Sequence, residues 1–180
     1  MKFTVDRDLV MNIQDLNKDE VSVVSTTEYN TILHNTQLTE MLEDRIEVGI
    51  KLVIRNTFSN EVLVLDNENV LDLELLNLGQ TIKGYFQVIA TLDKFLRSKG
   101  KVTNQIMSKT HLNTLGVLYN SEEDKLYHIM NLIVLDDQKE VFTSMFENRC
   151  IKWEKIVDLI SSPYISKFDK IILSKLRIVN

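Results

Sequence analysis

The chain has 180 residues, of which 44% are hydrophobic and 26% are charged, so collagen-like, disordered and low-complexity classes are excluded and a sizeable core is expected. Its net charge of -5 argues against nucleic acid as a partner, and no apolar run reaches the roughly 18 residues of a membrane helix. With one cysteine, Cys150, and three histidines, the sequence offers no disulfide framework and no zinc cluster.

The beginning of the chain predicts an N-terminal extension, residues 1–45, ahead of a domain over residues 46–180. Residues 21–25 are short and apolar, which is typical of a strand. Ser25 and Glu28 then supply the two side chains of a capping box, so a helix should follow. Its inward face would carry Tyr29, Ile32 and Leu33.

Apolar and β-branched stretches predict the strands of the main domain. Residues 48–56 and 61–66 flank a polar turn at residues 57–60, which indicates a β-hairpin. Further strands are expected over residues 70–78, 112–119, 126–135 and 145–153, with a polar turn at 120–124. Cys150 would be a buried small hydrophobic residue.

Apolar residues at helical spacing predict a helix over residues 85–98, and Gly100 follows as its C-cap. A short helix is expected from Trp153 to Ser161. A last helix, about residues 165–177, should turn its apolar side inward. That side consists of Phe168, Ile171, Ile172, Leu173 and Leu176. The order of elements predicts an α/β (α+β) fold, a mixed sheet covered by helices.

The spacing of the glycines around the central helix carries the most information, because the chain has only five. Gly79 and Gly100 fall, without a gap, on the two glycines of the Nudix hydrolase signature, G-x5-E-x7-R-E-U-x-E-E-x-G-U, and Gly84 stands just before its first glutamate position. Over residues 46–178 the chain resembles this family, and in particular a phosphoesterase-like branch with an N-terminal extension. The resemblance implies a Nudix-like mixed sheet sandwiched between helices.

The charged positions of this signature hold other residues. In Nudix hydrolases the glutamates bind divalent metal ions that activate water for attack at phosphorus. In this chain the four glutamate positions hold Tyr85, Lys94, Arg97 and Ser98, and the arginine position holds Asp93. Four acids and one base, net -3, are replaced by one acid and two bases, net +1. The resemblance therefore implies a degenerate box, a catalytically inactive relative, and no metal or other cofactor.

Lys94, Arg97 and Lys101 lie at helical positions i, i+3 and i+7 and would form a basic stripe on one helix face. In one interpretation the stripe binds a phosphate or nucleotide with fixed cations in place of the metal. In the other it is an ordinary solvent-exposed face. The expected partner is thus a protein or a phosphorylated small molecule, and a homodimer is a further option. We expect the protein to be cytoplasmic, with no membrane partner.

Other acidic residues leave an enzymatic alternative open. A hydrolase of nucleoside diphosphate-linked compounds could hold its metal through carboxylates outside the signature. These would be Glu61, Asp93, Asp137 and Glu147. The run of Asp136, Asp137 and Glu140 is interpreted as a solvated turn, and His128 as a hydrogen-bonded strand residue rather than a catalytic base. The richness in Lys, Asn and Ile resembles that of an AT-rich bacterial or phage genome.

Residues 149–180 carry seven basic and three acidic residues, a net charge of +4. This end of the chain could meet an acidic partner. The simpler interpretation is a solvated helix face.

Overall fold

The computed structural model describes residues 4–13, 16, 21–38, 44–67, 70–73, 111–144 and 150–178. The strands are β1 Thr4–Asp6, β2 Val21–Val24, β3 Arg45–Asn56, β4 Glu61–Asn67, β5 Val70–Asp72, β6 His111–Asn120, β7 Lys125–Val134 and β8 Ile151–Lys155. The α-helices are α1 Arg7–Met11, α2 Thr26–Leu38, α3 Lys139–Ser144, α4 Ile156–Ser161 and α5 Lys167–Ile178, and a 3-10 helix spans Asp136–Gln138. None of the described helices is long and apolar enough to cross a membrane.

Among the described residues, eight strands form one sheet in the order β2-β6-β7-β3-β4-β5, with β1 paired to β3 and β8 paired to β4. The pairs β1–β3, β2–β6, β3–β4, β4–β5 and β4–β8 are antiparallel. The neighbours β3 and β7 run in the same direction. Near their starts the Lys125 ammonium lies 3.3 Å from the Glu47 carboxylate, and at their ends Asn56 Nδ2 donates to the Val134 carbonyl at 3.4 Å. The sheet is therefore mixed, as predicted.

The described residues fall into two compact units, each with its own core. The first contains residues 4–50 and 116–129, and the second contains residues 51–73, 111–115 and 130–178. The core of the first unit is built from Val5, Val10, Ile13, Val24, Tyr29, Ile32, Leu33, Ile46, Val117, Tyr119 and Leu126. Residues from the predicted extension thus share a core with sheet residues. The division of the chain at residue 45 stays a prediction.

Helix α2 begins as the sequence predicts. The Ser25 amide donates to Glu28 Oε2 at 3.0 Å, and the Glu28 amide donates to Ser25 Oγ at 3.2 Å, which is a reciprocal capping box. Tyr29, Ile32 and Leu33 are all buried. Both the helix start and its inward face are confirmed.

A cluster of polar side chains fastens α1 to the β6–β7 turn. Arg7 Nη1 donates to Asp124 Oδ1 at 2.8 Å, and Arg7 Nε donates to Asp44 Oδ1 at 2.7 Å. The Tyr119 hydroxyl also donates to Asp124 Oδ1 at 2.8 Å. The Arg7 guanidinium holds the pKa of Asp124 below its usual range. Asp124 adopts a left-handed backbone with φ 51°, which aspartate tolerates better than most residues.

We expect Arg7→Ala to lower the free energy of unfolding by about 1 kcal/mol, because a two-pronged, partly buried guanidinium–carboxylate contact is stronger than an ordinary surface pair. Urea denaturation should show the loss, and about 0.5 M salt should reduce it. Lys152→Ala is the control, since Lys152 pairs with Asp66 and Glu154 at 42% side-chain exposure. Equal losses for the two variants would contradict the prediction.

The core of the second unit joins β3, β4 and β7 to the C-terminal helices. Helix α5 buries Phe168, Ile172, Leu173 and Leu176, as predicted, while Ile171 is half-buried. The other buried residues include Leu52, Ile54, Val62, Leu63, Val64, Leu73, Met130, Leu132, Phe142, Ile156 and Leu159.

Near the C-terminus the structure corrects two predictions. Helix α4 begins at Ile156 rather than Trp153, because residues 151–155 form β8 and pair along β4 from Leu65 to Glu61. Cys150 is exposed rather than buried; it directly precedes β8, and its carbonyl accepts the Asp66 amide at 2.7 Å. Residues 74–78 and 145–149 of two predicted strands lie outside the described residues.

The sequence analysis did not predict several short elements. Strand β1, helix α1 and helix α3 have 3, 5 and 6 residues, which is too few for a hydrophobic period to become visible. Contacts within the fold specify them instead. Strand β1, for example, pairs with the start of β3.

Candidate functional site

A cleft of about 680 Å³ opens in the second unit. This volume lies in the range of small-molecule pockets. Its described walls come from the end of β3, the β3–β4 turn, the first half of β6 and the second half of β7. They are lined by Arg55, Thr57, Asn60, Asn113, Thr114, Leu115, Asn131 and Ile133.

The described lining is polar and positively charged. It contains one guanidinium, three side-chain amides, two hydroxyls and two aliphatic side chains, and it includes no carboxylate. Amides and hydroxyls both donate and accept hydrogen bonds, whereas the guanidinium only donates. This part of the cleft therefore suits a ligand that is anionic and rich in hydrogen-bonding groups.

The cation of the cleft, Arg55, is held in place by two neutral acceptors. Its side chain is almost fully buried; Nη1 donates to the Leu176 carbonyl at 3.1 Å and Nη2 donates to Asn60 Oδ1 at 3.0 Å. Burial lowers the pKa of Arg55, yet a guanidinium remains protonated at neutral pH. The positive charge is thus fixed between α5 and the β3–β4 turn.

The β3–β4 turn is tightly bonded and forms one rim of the cleft. Asn56 Oδ1 accepts the Ser59 amide at 2.8 Å and the Ser59 hydroxyl at 3.0 Å. Asn60 adopts a left-handed backbone with φ 58°, a conformation that asparagine tolerates, and its carbonyl accepts the Ile156 amide at 3.1 Å. These bonds fix the positions of Thr57 and Asn60 at the cleft.

Asn131 is the unusual member of the lining. Its side chain is 4% exposed, and its Oδ1 is fully buried with no hydrogen-bond partner among the described residues. Nearby in the lining, Thr114 Oγ1 donates to the sulfur of Met130 at 3.4 Å, and a thioether is a weak acceptor. A buried amide oxygen without a donor costs about 1–3 kcal/mol, so a ligand that supplies a donor would recover that energy.

The residues on which the resemblance to the Nudix signature rests lie outside the described part of the structure. They are Gly79, Gly84, Tyr85, Asp93, Lys94, Arg97, Ser98 and Gly100, together with Lys101 of the basic stripe. The degenerate box and the anion site on its helix accordingly stay predictions. Glu147 lies outside the described residues as well.

The described carboxylates that the enzymatic alternative would use are either paired with a cation or not grouped with other metal-binding side chains. Glu61 forms an ion pair with Lys139, whose hydrogen bond holds the pKa of Glu61 below its usual range. Asp136, Asp137 and Glu140 are exposed, as predicted, but they lie in the 3-10 helix and in α3 rather than in a turn. In the described ranges no group of three or more His, Cys, Asp or Glu residues is arranged to hold a metal ion.

His128 lies in the core of the first unit rather than on its surface. It is 2% exposed, and its ring meets that of Tyr29 edge to face, with 5.2 Å between the ring centroids. Burial lowers the pKa of His128 to about 4, so the imidazole is neutral at pH 7. Its enclosure favours the structural interpretation over that of a catalytic base.

Arg55 and Asn131 were not singled out by the sequence analysis, although one of them left a signal. Asn131 interrupts the apolar run of β7, between Met130 and Leu132. A polar residue inside such a run indicates a buried hydrogen bond or a ligand contact. Arg55 gave no comparable signal, because a charged residue at a strand end is usually solvated.

Comparison with known proteins supports the fold. No protein-family model matches the sequence, and no curated protein matches it. Among solved structures the chain is similar to Tm1382, a candidate Nudix hydrolase, with a TM-score of 0.52, 15% sequence identity, and coverage of 97% of this chain and 98% of that one. The chain therefore has a Nudix-like fold, as the resemblance predicted. At this identity the similarity shows the fold alone.

Proposed function

We propose that this protein is a catalytically inactive Nudix-like protein of the cytoplasm that binds a phosphorylated small molecule, such as a nucleotide, in the cleft beside Arg55 and Asn131. One observation carries the proposal. The described lining combines a fixed, buried cation with amides and hydroxyls and includes no carboxylate. Such a surface attracts an anion and offers no ligand of the type that Mg²⁺ requires.

The sequence supports the same conclusion from a different part of the chain. Tyr85, Lys94 and Arg97 stand where the family signature has glutamates, and the net charge of these signature positions changes from -3 to +1. Cations at these positions would repel Mg²⁺ and attract phosphate. The fixed positive charges of the protein would then take the place of the metal in offsetting the charge of the ligand.

The enzymatic alternative needs carboxylates from elsewhere in the chain. A hydrolase of nucleoside diphosphate-linked compounds would have to use residues such as Glu61 or Glu147. Glu61 already forms an ion pair with Lys139, which argues against Glu61 as a metal ligand. Binding to another protein is the second alternative, and it predicts no response to small phosphorylated compounds.

Calorimetric titration with ADP and ADP-ribose in the presence of a chelator tests the proposal. We expect metal-independent binding that weakens as salt is raised, because screening reduces the attraction between phosphate and fixed cations. Arg55→Gln should weaken binding by about tenfold, because it removes the fixed cation of the described cleft lining. Lys155→Gln is the matched control, since Lys155 is exposed on β8 and outside the described cleft lining.

Two results would reject the proposal. Turnover of ADP-ribose that requires Mg²⁺ or Mn²⁺ and is abolished by Glu147→Gln would establish the hydrolase. Absence of binding heat with every phosphorylated compound would leave the protein partner as the better explanation. Circular dichroism of each variant ensures that a loss of binding does not reflect a loss of fold.

A further inference from the structure

We infer that Asn131 makes the cleft selective for phosphorylated ligands whose planar part carries an N–H donor beside a hydrogen-bond acceptor, as in a lactam, a carboxamide or the amino edge of adenine. The inference rests on the proposed function and deepens it by naming the group that the protein recognises. The observation behind it is that the buried Asn131 Oδ1 has no hydrogen-bond donor among the described residues.

The fold does not need an amide at position 131. Residues two apart in a strand share a face, and the same-face neighbours of Asn131 in β7, Ile129 and Ile133, are both aliphatic, so an apolar side chain would suit this face. Asn131 Oδ1 has no donor among the described residues, although the side chain is 96% buried. Most buried polar atoms in native proteins are hydrogen-bonded, and an exception calls for an explanation. Because Asn131 lines the cleft, a ligand in the cleft supplies one.

The amide can match a planar partner in only one way that uses both of its polar atoms. A half-turn about the Cβ–Cγ bond exchanges the positions of oxygen and nitrogen, so the side chain can present either atom to the cleft. A ligand edge with a donor next to an acceptor can then form two parallel hydrogen bonds with it. A lactam, a carboxamide and the amino side of adenine all have this edge, whereas a sugar phosphate lacks it.

Two other groups of the lining agree with a polar, anionic ligand. The Thr114 hydroxyl donates to the sulfur of Met130, a bond that an oxygen acceptor on a ligand would outcompete. The Arg55 guanidinium is fixed in the wall and provides the positive charge. Phosphate on the ligand would meet this charge, and the planar edge would meet Asn131.

Calorimetric titration with three probes tests the inference on the unmodified protein. Inosine 5′-monophosphate carries the lactam, its N1-methyl derivative lacks the N–H donor, and ribose 5-phosphate lacks the base. We expect inosine 5′-monophosphate to bind about tenfold or more tightly than either of the other two, because loss of the donor leaves the buried oxygen unpaired again. Ribose 5-phosphate should still bind, through its phosphate.

The variant Asn131→Leu gives a second, independent readout. It should remove the preference of the protein for inosine 5′-monophosphate over the N1-methyl derivative. Without ligand, it should raise the melting temperature, since an unpaired buried oxygen is lost. The matched control is Asn120→Leu, which should lower the melting temperature. Asn120 is equally buried, but its Oδ1 accepts the amides of Glu122 and Glu123 at 3.0 and 3.4 Å.

The failure of the inference and the failure of the proposed function give different results. Equal binding of inosine 5′-monophosphate and its N1-methyl derivative would overturn the inference, and this comparison needs no variant. The proposed function would survive if ribose 5-phosphate binds. Absence of binding by all three probes would overturn both. A preference that persists in a folded Asn131→Leu protein would assign the selectivity to another residue and overturn the role of Asn131.

Discussion

Replacing Asp169 with alanine is expected to lower the free energy of unfolding by about 3–5 kcal/mol. The carboxylate is almost fully buried, and each of its two oxygens accepts a different hydrogen bond. Oδ1 accepts the Lys51 ammonium at 2.6 Å, and Oδ2 accepts the amide of Leu73 at 3.2 Å. The substitution therefore leaves a buried ammonium without its carboxylate and removes the acceptor of a buried backbone amide.

The position of this ion pair in the fold explains why it should matter. Lys51 lies on β3, Asp169 lies in the first turn of α5, and Leu73 follows β5. The Lys51 ammonium also lies 5.1 Å from the centre of the Phe168 ring. One carboxylate thus joins three parts of the second unit. The side chains of Lys51 and Asp169 are 7% and 2% exposed, so little water is available to solvate the ammonium once the carboxylate is removed.

Guanidinium chloride unfolding followed by circular dichroism measures the effect. The control Asp158→Ala removes an exposed carboxylate from α4 and should cost less than about 0.5 kcal/mol. The double variant Lys51→Met with Asp169→Leu should recover much of the loss, because a buried ion pair can be replaced by an apolar pair of similar size. A cost for Asp169→Ala as small as that of the control would contradict the prediction.

Lowering the pH from about 6.5 to about 4 should cost roughly 3 kcal/mol of stability through His128 alone. In the unfolded chain its imidazole titrates near its usual pKa of 6.5, whereas burial lowers the pKa in the folded protein to about 4. The unfolded state therefore binds the proton first. The contribution is fully present above pH 6.5 and is lost progressively as the pH falls towards 4.

The surroundings of His128 agree with this sign. Its ring packs edge to face against Tyr29, which is itself 2% exposed. Burial raises the pKa of Tyr29, so this neighbour remains neutral and offers no negative charge to a protonated imidazole. Protonation of His128 would bury an additional positive charge in the apolar core of the first unit.

Unfolding free energies at about pH 7, 5.5 and 4.5 would reveal this dependence. His128→Phe keeps an aromatic ring and removes the titration, so its stability should fall less steeply with pH than that of the unmodified protein. His34→Gln, at an exposed position of α2, is the control for the removal of a histidine from the surface. Parallel pH profiles for His128→Phe and the unmodified protein would contradict the prediction.

Local patterns predicted the hairpins and helix α2 because their causes lie within a few residues of sequence. The capping box joins Ser25 and Glu28, three positions apart, and the turn at residues 57–60 is held by Asn56, whose Oδ1 accepts the amide of Ser59, also three positions away. The start of α4 was wrong for the opposite reason. Trp153 and its neighbours are strand residues because they pair with β4, about ninety positions earlier in the chain.

The candidate site was less accessible to sequence analysis than the fold. The sequence directed attention to Lys94, Arg97 and Lys101, whose spacing is regular and whose charges depart from a family pattern. Asn131 could be recognised only as a polar residue in an apolar strand. Whether its oxygen has a donor depends on residues from other strands, and no pattern along the chain reports them.

The sequence by itself determined the order of most elements, the mixed composition of the fold and its Nudix-like character, because hydrophobic period, turn chemistry and glycine spacing act locally. Only the tertiary structure decided which polar groups are buried and what they meet. Lys51 and Asp169 are separated by 118 positions along the chain and by 2.6 Å in space. Coulomb and desolvation energies depend on distance and burial, and folding alone sets both.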